Sequence, residues 1–132
     1  MERAVSRPVR FPDMRLQVIS ALRSLSDRQH QQTRWGQVED GVNYYDDLTL
    51  SVHTLYDDCM VLPEPQAAVP DVLRDEEAPA LLELEHALGP MIQDLGDAPD
   101  AVYTSDPRWS AVVGAAGAAL LVMQRLDEGP PP

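Results

Sequence analysis

The sequence predicts an all-α fold, a single-domain bundle of about five helices with a short N-terminal tail. Three observations predict it. Apolar residues recur at the helical spacing of about 3.6 residues in every long segment. No segment alternates with the two-residue period of a strand. The chain has 132 residues, the size of one domain around one core.

Residues 1 to 10 show no periodicity and read as a flexible basic tail. Residues 11 to 127 read as the helical domain. Residues 128 to 132, Glu-Gly-Pro-Pro-Pro, read as a proline-rich tail suited to neither helix nor sheet. Phe11, Met14, Val18, Leu22 and Leu25 share one stripe, so a first helix is expected from Pro12 to Leu25. Ser26-Asp27 breaks and recaps the chain, and a short polar helix continues toward Trp35. Gly36 to Asn43 reads as a loop. The next helix is expected from Tyr44 to Met60, with Tyr45, Leu48, Val52, Leu55, Tyr56 and Cys59 on its apolar face. Asp46 and Asp47 suit its first turn, where the helix dipole favours negative charge. Leu62-Pro63-Glu64-Pro65 stops it.

A short helix is expected at Pro70 to Arg74. Another begins near Pro79 and carries Leu81, Leu84, Leu88, Met91, Ile92 and Leu95, with a kink at Gly89-Pro90 and Gly96 as its C-cap. The last helix starts at Asp106-Pro107, a capping acid followed by a proline at the first helical position. Its main face holds Trp109, Val112, Val113, Ala116, Ala119, Leu120 and Met123. Its opposite face is also small or apolar: Ala111, Gly114, Ala118, Leu121 and Val122. A helix apolar all round is normally surrounded by protein. It is expected to be the central helix of the bundle or, through Gly114, Ala118, Leu121 and Val122, the core of a homodimer.

Charge narrows the function. Ten arginines, no lysine and 22 carboxylates give a formal charge of −12. Residues 1 to 34 hold seven arginines and three acids, a net +4, whereas Trp35 onward holds three arginines and 19 acids, a net −16. The acidic body repels phosphate backbones and anionic lipid, so it is expected to bind neither nucleic acid nor membrane. The longest weakly polar stretch, Ala111 to Met123, is 13 residues, short for a bilayer span. A lone cysteine, Cys59, excludes an intramolecular disulfide and a paired-cysteine zinc site. A cytoplasmic protein is expected, and the arginine bias with few Ile, Asn and Phe points to a GC-rich bacterial genome.

Motifs for chemistry are sparse. Glu83-x-x-His86 has the spacing of di-iron bundles, and Asp27-x-x-His30 echoes it, but Glu83 and His86 point away from their helix's apolar face. Asp46, His53 and Asp57 fall along one helix edge and could bind a divalent cation or hold a poised histidine; the plain alternative is a surface His53–Asp57 pair. Cys59 lies on the apolar stripe, as an inert core thiol does. Glu39-Asp40-Gly41 lacks the oxygen ligands that a calcium loop needs at Val42 and Tyr44. No catalytic set stands out and no cofactor is expected.

What remains is surface. Trp35, Tyr44, Tyr45 and Tyr56 lie among Asp46, Asp47, Asp57 and Asp58, with Leu50 exposed between the carboxylates. Aromatic anchors among acids suit a partner presenting arginines and lysines.

The motifs Tyr44-Tyr45-Asp46-Asp47, Val52-His53-Thr54-Leu55-Tyr56-Asp57-Asp58 and Asp106-Pro107-x-Trp109 together resemble a family of small acidic helical bacterial proteins of unknown function. That family looks like the immunity proteins encoded beside bacterial toxins, a likeness of size, acidity and helical content over Asp13 to Leu126. The resulting expectation is a non-enzymatic module, an inhibitor or immunity protein, that binds a basic partner through Trp35, Tyr44, Tyr45, Asp46, Asp47, Leu50, Asp57 and Asp58. The alternative is a metal-binding bundle or metal-dependent enzyme using Asp46, His53 and Asp57.

Overall fold

The computed structural model describes residues 9–36 and 46–128. The described residues form six α-helices: α1 (Pro12–Leu25), α2 (Arg28–Arg34), α3 (Leu48–His53), α4 (Ala78–Leu95), α5 (Asp100–Ser105) and α6 (Trp109–Glu128). Their one extended pairing is an isolated parallel bridge between Trp35 and Asp46. The all-α expectation holds. Residues 1–8 and 129–132 of the expected tails, and residues 37–45 of the expected loop and helix start, Tyr44 and Tyr45 among them, lie outside the described residues. Glu128, expected in the C-terminal tail, instead ends α6, because the helical backbone runs on to the residue before Gly129.

α6 is the spine, packed along α4 on one side and α1 on another. Trp109, Val112, Ala116, Ala119 and Met123 are buried from α6, Leu81, Leu84, Leu88 and Met91 from α4, and Val18, Leu22 and Leu25 from α1. These are the positions picked out by helical spacing, since burying such a stripe is what holds a short helix in water. Phe11 departs from its stripe: it precedes α1 as the N-cap residue and is 41% exposed.

The outer face of α6 is not covered by the other described residues. Ala111, Gly114, Ala118 and Leu121 are exposed, so α6 is central on one side and open on the other. The helix is also longer than the 13-residue apolar stretch implied. Trp109–Asp127, with mean hydropathy 1.4, is long and apolar enough to cross a membrane by length and composition alone. Its inward face is nevertheless the core of this bundle.

The helix expected from Tyr44 starts later. Asp47 is its N-cap, in extended conformation, and its side chain accepts from the Leu50 amide at 2.7 Å. Asp46 lies before the helix, paired with Trp35, and its carbonyl accepts from the Gly36 amide at 2.9 Å. Both aspartates suit a helix start, and sequence spacing could not tell cap from first turn. Beyond His53 the backbone widens into a π turn, Thr54–Asp58, which buries Leu55 and leads to a buried Cys59.

The short helix expected at Pro70 to Arg74 does not form. Pro65–Ala68 and Asp75–Glu77 are 3-10 turns, and the amides of Val72 and Leu73 both turn back to the Ala68 carbonyl. The Val72 carbonyl is taken by Arg15 Nη1 at 3.1 Å, so tertiary bonds replace helical ones here. α4 runs through Pro90 and ends at Gly96, whose φ of +54° is the left-handed region glycine adopts at little cost. α5 was not expected; its buried Tyr103 donates to the Gly96 carbonyl at 2.6 Å. Asp106 caps the next turn, accepting from the Arg108 amide at 2.8 Å, and α6 proper starts at Trp109, two residues after Pro107.

Arg15, on the core-facing stripe of α1, ties the chain's two ends together. Its guanidinium grips Glu77, which is wholly buried, and Nε reaches Asp127 of α6 at 3.1 Å. Burial by itself would lower the Arg15 pKa, but the hydrogen bonds and charge of Glu77 and Asp127 outweigh it and raise it.

Candidate functional site

A cavity of about 430 Å³ opens between α1, α2 and α3. α1 supplies Gln17, Ser20, Ala21, Arg23 and Ser24; Asp27 and His30 come from the start of α2; Asp46, Leu50, Ser51 and Thr54 form the facing wall. Each is placed by local structure. Asp27 is the N-cap of α2 and accepts from the His30 amide at 3.0 Å, which fixes the first turn and turns the His30 ring inward. The Trp35–Asp46 bridge sets Asp46 in the wall.

Asp46 is only 7% exposed and is the electrostatic centre of the cavity. Ser24 Oγ donates to its Oδ2 at 2.5 Å, His30 Nε2 lies 2.7 Å from the same oxygen, and Trp35 Nε1 donates to it at 3.1 Å. A carboxylate only accepts, so His30 carries its proton on Nε2. Among the described residues Oδ1 accepts nothing. Across the cavity Ser51 is 2% exposed, and its hydroxyl makes no hydrogen bond among the described residues. Leu50 stands at the rim, 46% exposed.

A family model matches residues 9–131, which span all six helices. It is described as a domain of unknown function, DUF7945. The chain belongs to this family. No curated protein matches the chain, and neither does any solved structure.

In the DUF7945 domain the described residues expected to bind a partner fall into three groups. Leu50, Asp57 and Asp58 are exposed on α3 and the turn after it. Trp35 and Asp46 are buried, contrary to expectation. Trp35 packs edge-on against Trp109, with centroids 6.0 Å apart at 71°, because an indole this large gains more from the core than from solvent. Asp47 is half-buried and occupied as a cap. Tyr44 and Tyr45 lie outside the described residues. Tyr56 is half-buried, its hydroxyl donating to Glu85 at 2.5 Å. Burial first, and then this carboxylate, push the Tyr56 phenol up, so it stays a donor.

The expected metal constellation is not assembled. Among the described residues no three His, Cys, Asp or Glu side chains come together to hold a metal ion. His53 and Asp57 pair at 2.5 Å on the open surface, both about three-fifths exposed. Asp46 precedes α3, so the helical register that aligned it with them does not apply. Cys59 is buried, its thiol pushed up by burial and by Asp58. Glu83 and His86 are exposed on α4.

Sequence reasoning missed Ser24, His30 and Ser51 in DUF7945. Asp27-x-x-His30 was visible as a spacing, but its meaning was a helix cap that aims a histidine. Asp46, the carboxylate that this histidine meets, lies 16 residues on.

Proposed function

We propose that this domain is a non-enzymatic, cytoplasmic bacterial binding module that engages a basic protein partner, as an inhibitor or immunity protein does. The observation carrying this reading is the continuity of two acidic features. Asp57 and Asp58 are exposed on the segment that also provides the cavity's Leu50 rim, and the cavity holds a buried carboxylate with an unused oxygen. An acidic body with an apolar rim residue offers steering by charge and an anchor point at contact. Charge reversal tests it. Asp57→Arg with Asp58→Arg should abolish salt-sensitive capture of the partner from native cell extract while leaving the folded domain intact. Unchanged capture would sink the reading. Asp46 is unsuitable for reversal, since a buried arginine there would unfold the site.

A second reading is favoured by the exposed outer face of α6. Gly114, Ala118 and Leu121 are open and Val122 is half-buried, so the helix could pack against its copy in a homodimer. A Cβ at Gly114 meets nothing within 4 Å inside the protein. Gly114→Leu should therefore spare the fold and weaken any dimer. Sedimentation reads both; a monomer for the unaltered chain removes this reading.

A further inference from the structure

We infer that the cavity between α1, α2 and α3 seats the guanidinium of an arginine side chain from the basic partner, with Asp46 as its inner carboxylate and Asp27 at its mouth. This rests on the partner-binding reading above and names its anchor.

Two buried groups demand a ligand. The Asp46 carboxylate takes its hydrogen bonds from Ser24, His30 and Trp35 on Oδ2, leaving Oδ1 without a donor among the described residues, although the side chain is nine-tenths buried. Ser51, 2% exposed, lines the same cavity with an unused hydroxyl. Buried polar atoms are rarely left unsatisfied, because each has given up water without compensation. One such atom is an oddity; two on residues that line one cavity describe a site lacking its donor. Asp27 adds a third acceptor: its Oδ1 caps α2, and its Oδ2 takes no hydrogen bond among the described residues.

The ligand class follows from this set. A carboxylate oxygen, a hydroxyl and a second carboxylate spread round a cavity suit a donor with several N–H groups in a rigid plane. Guanidinium offers five, whereas ammonium offers three on a point charge that holds water more tightly. The volume of about 430 Å³ falls within the range of about 300–1,000 Å³ typical of ligand pockets, ample for one long side chain. Ala21 and Leu50 provide apolar wall for its methylene stem. Arg23 also lines the cavity but is exposed, so solvent screens its repulsion, whereas the buried Asp46 acts at low dielectric.

The test is an NMR titration of the full chain with N-acetyl-arginine amide, beside N-acetyl-citrulline amide, its uncharged isostere, and N-acetyl-lysine amide. The arginine compound should shift resonances of Ser24, His30 and Ser51 saturably, with the other two weaker on the order of tenfold or more. Asp46→Asn and Ser51→Ala should each weaken it. Asp27→Asn, which keeps the helix cap, should weaken it without loss of fold and guards against an unfolded Asp46 variant. Absence of saturable shifts, shifts away from the cavity, or equal binding of citrulline or lysine overturns the inference. If capture fails for Asp57→Arg with Asp58→Arg while the arginine compound does not bind, the module stands and the anchor falls. If the arginine compound binds but capture ignores those reversals, the anchor stands and the acidic docking face falls.

Discussion

Asp106 accepts three hydrogen bonds from Arg108, one from the backbone amide and two from the side chain, and these hold its carboxyl below the ordinary carboxylate range. A carboxyl whose folded pKa is depressed stabilises the fold above its unfolded value, about 3.9 for aspartate. That contribution is lost as pH falls through the lower folded value. Asp106→Asn keeps an amide acceptor for the cap but removes the charge. Its thermal midpoint should sit below that of the unaltered chain near neutral pH, and the gap should close on acidification below about pH 4. A gap that persists there would show that the charge is not the cause.

Arg15 and Glu77 are the buried centre of a network that also holds Arg74 and Asp127, and removing Arg15 takes away the strongest partner of Glu77. Arg15→Met should cost about 3 kcal/mol, since among the described residues the wholly buried Glu77 would keep only Arg74, whose Nη1 lies 3.7 Å from Oε2 and whose amide donates to Oε1 at 2.8 Å. Urea denaturation measures it, and a loss below about 1 kcal/mol would mean that Asp127 and Arg74 do not shield the pair from water as the structure indicates. Adding Glu77→Leu to Arg15→Met should recover much of the loss, because an apolar pair leaves no orphaned charge.

At the scale of the element, α4 carries a compensation legible only in three dimensions. A Cβ on Gly89 would come within 2.5 Å of Glu85 Oε2, one turn before it on the same helix. That carboxylate is held by the Tyr56 hydroxyl. Gly89→Ala gains about 0.8–1 kcal/mol of helix propensity but must displace Glu85 and break a bond worth about 1 kcal/mol. The two nearly cancel, so the single variant should change stability little. In an Glu85→Ala background the same change should stabilise by about 0.8–1 kcal/mol. A double-mutant cycle reads the coupling directly, and equal effects in both backgrounds would show that Glu85 does not sit over Gly89. The stripe of Leu48, Leu55 and Cys59, which begins on α3 and runs through the π turn after it, was readable from spacing, yet the first residue of α3 was not, because Asp46 and Asp47 each carry a helix-start signal and only the Trp35 pairing separates them.

At the scale of the molecule, Trp109 joins the parts. It is wholly buried at the start of α6, donates from Nε1 to Gln31 of α2 at 2.9 Å and meets Trp35, which in turn donates to Ser24 and Asp46. The cavity wall thus hangs from the core. Trp109→Ala should cost about 3–5 kcal/mol and lower the denaturation midpoint of the whole domain. Tryptophan fluorescence of the remaining Trp35 and far-ultraviolet dichroism should follow one transition, and two separate transitions would show that the α2–α3 side unfolds alone.

The sequence by itself determined the helical class, the inward faces of α1, α4 and α6, the Gly96 stop and the core place of Cys59. All of these depend on residues a few positions apart, where periodicity and capping chemistry act. Only the tertiary structure decided that Trp35 and Asp46 are buried and that Arg15 faces Glu77. It alone left the outer face of α6 open and brought His30, Ser24 and Ser51 around one carboxylate. Those facts depend on contacts between residues distant along the chain, and an arginine or aspartate reads as surface until the partner that makes its burial tolerable is in view.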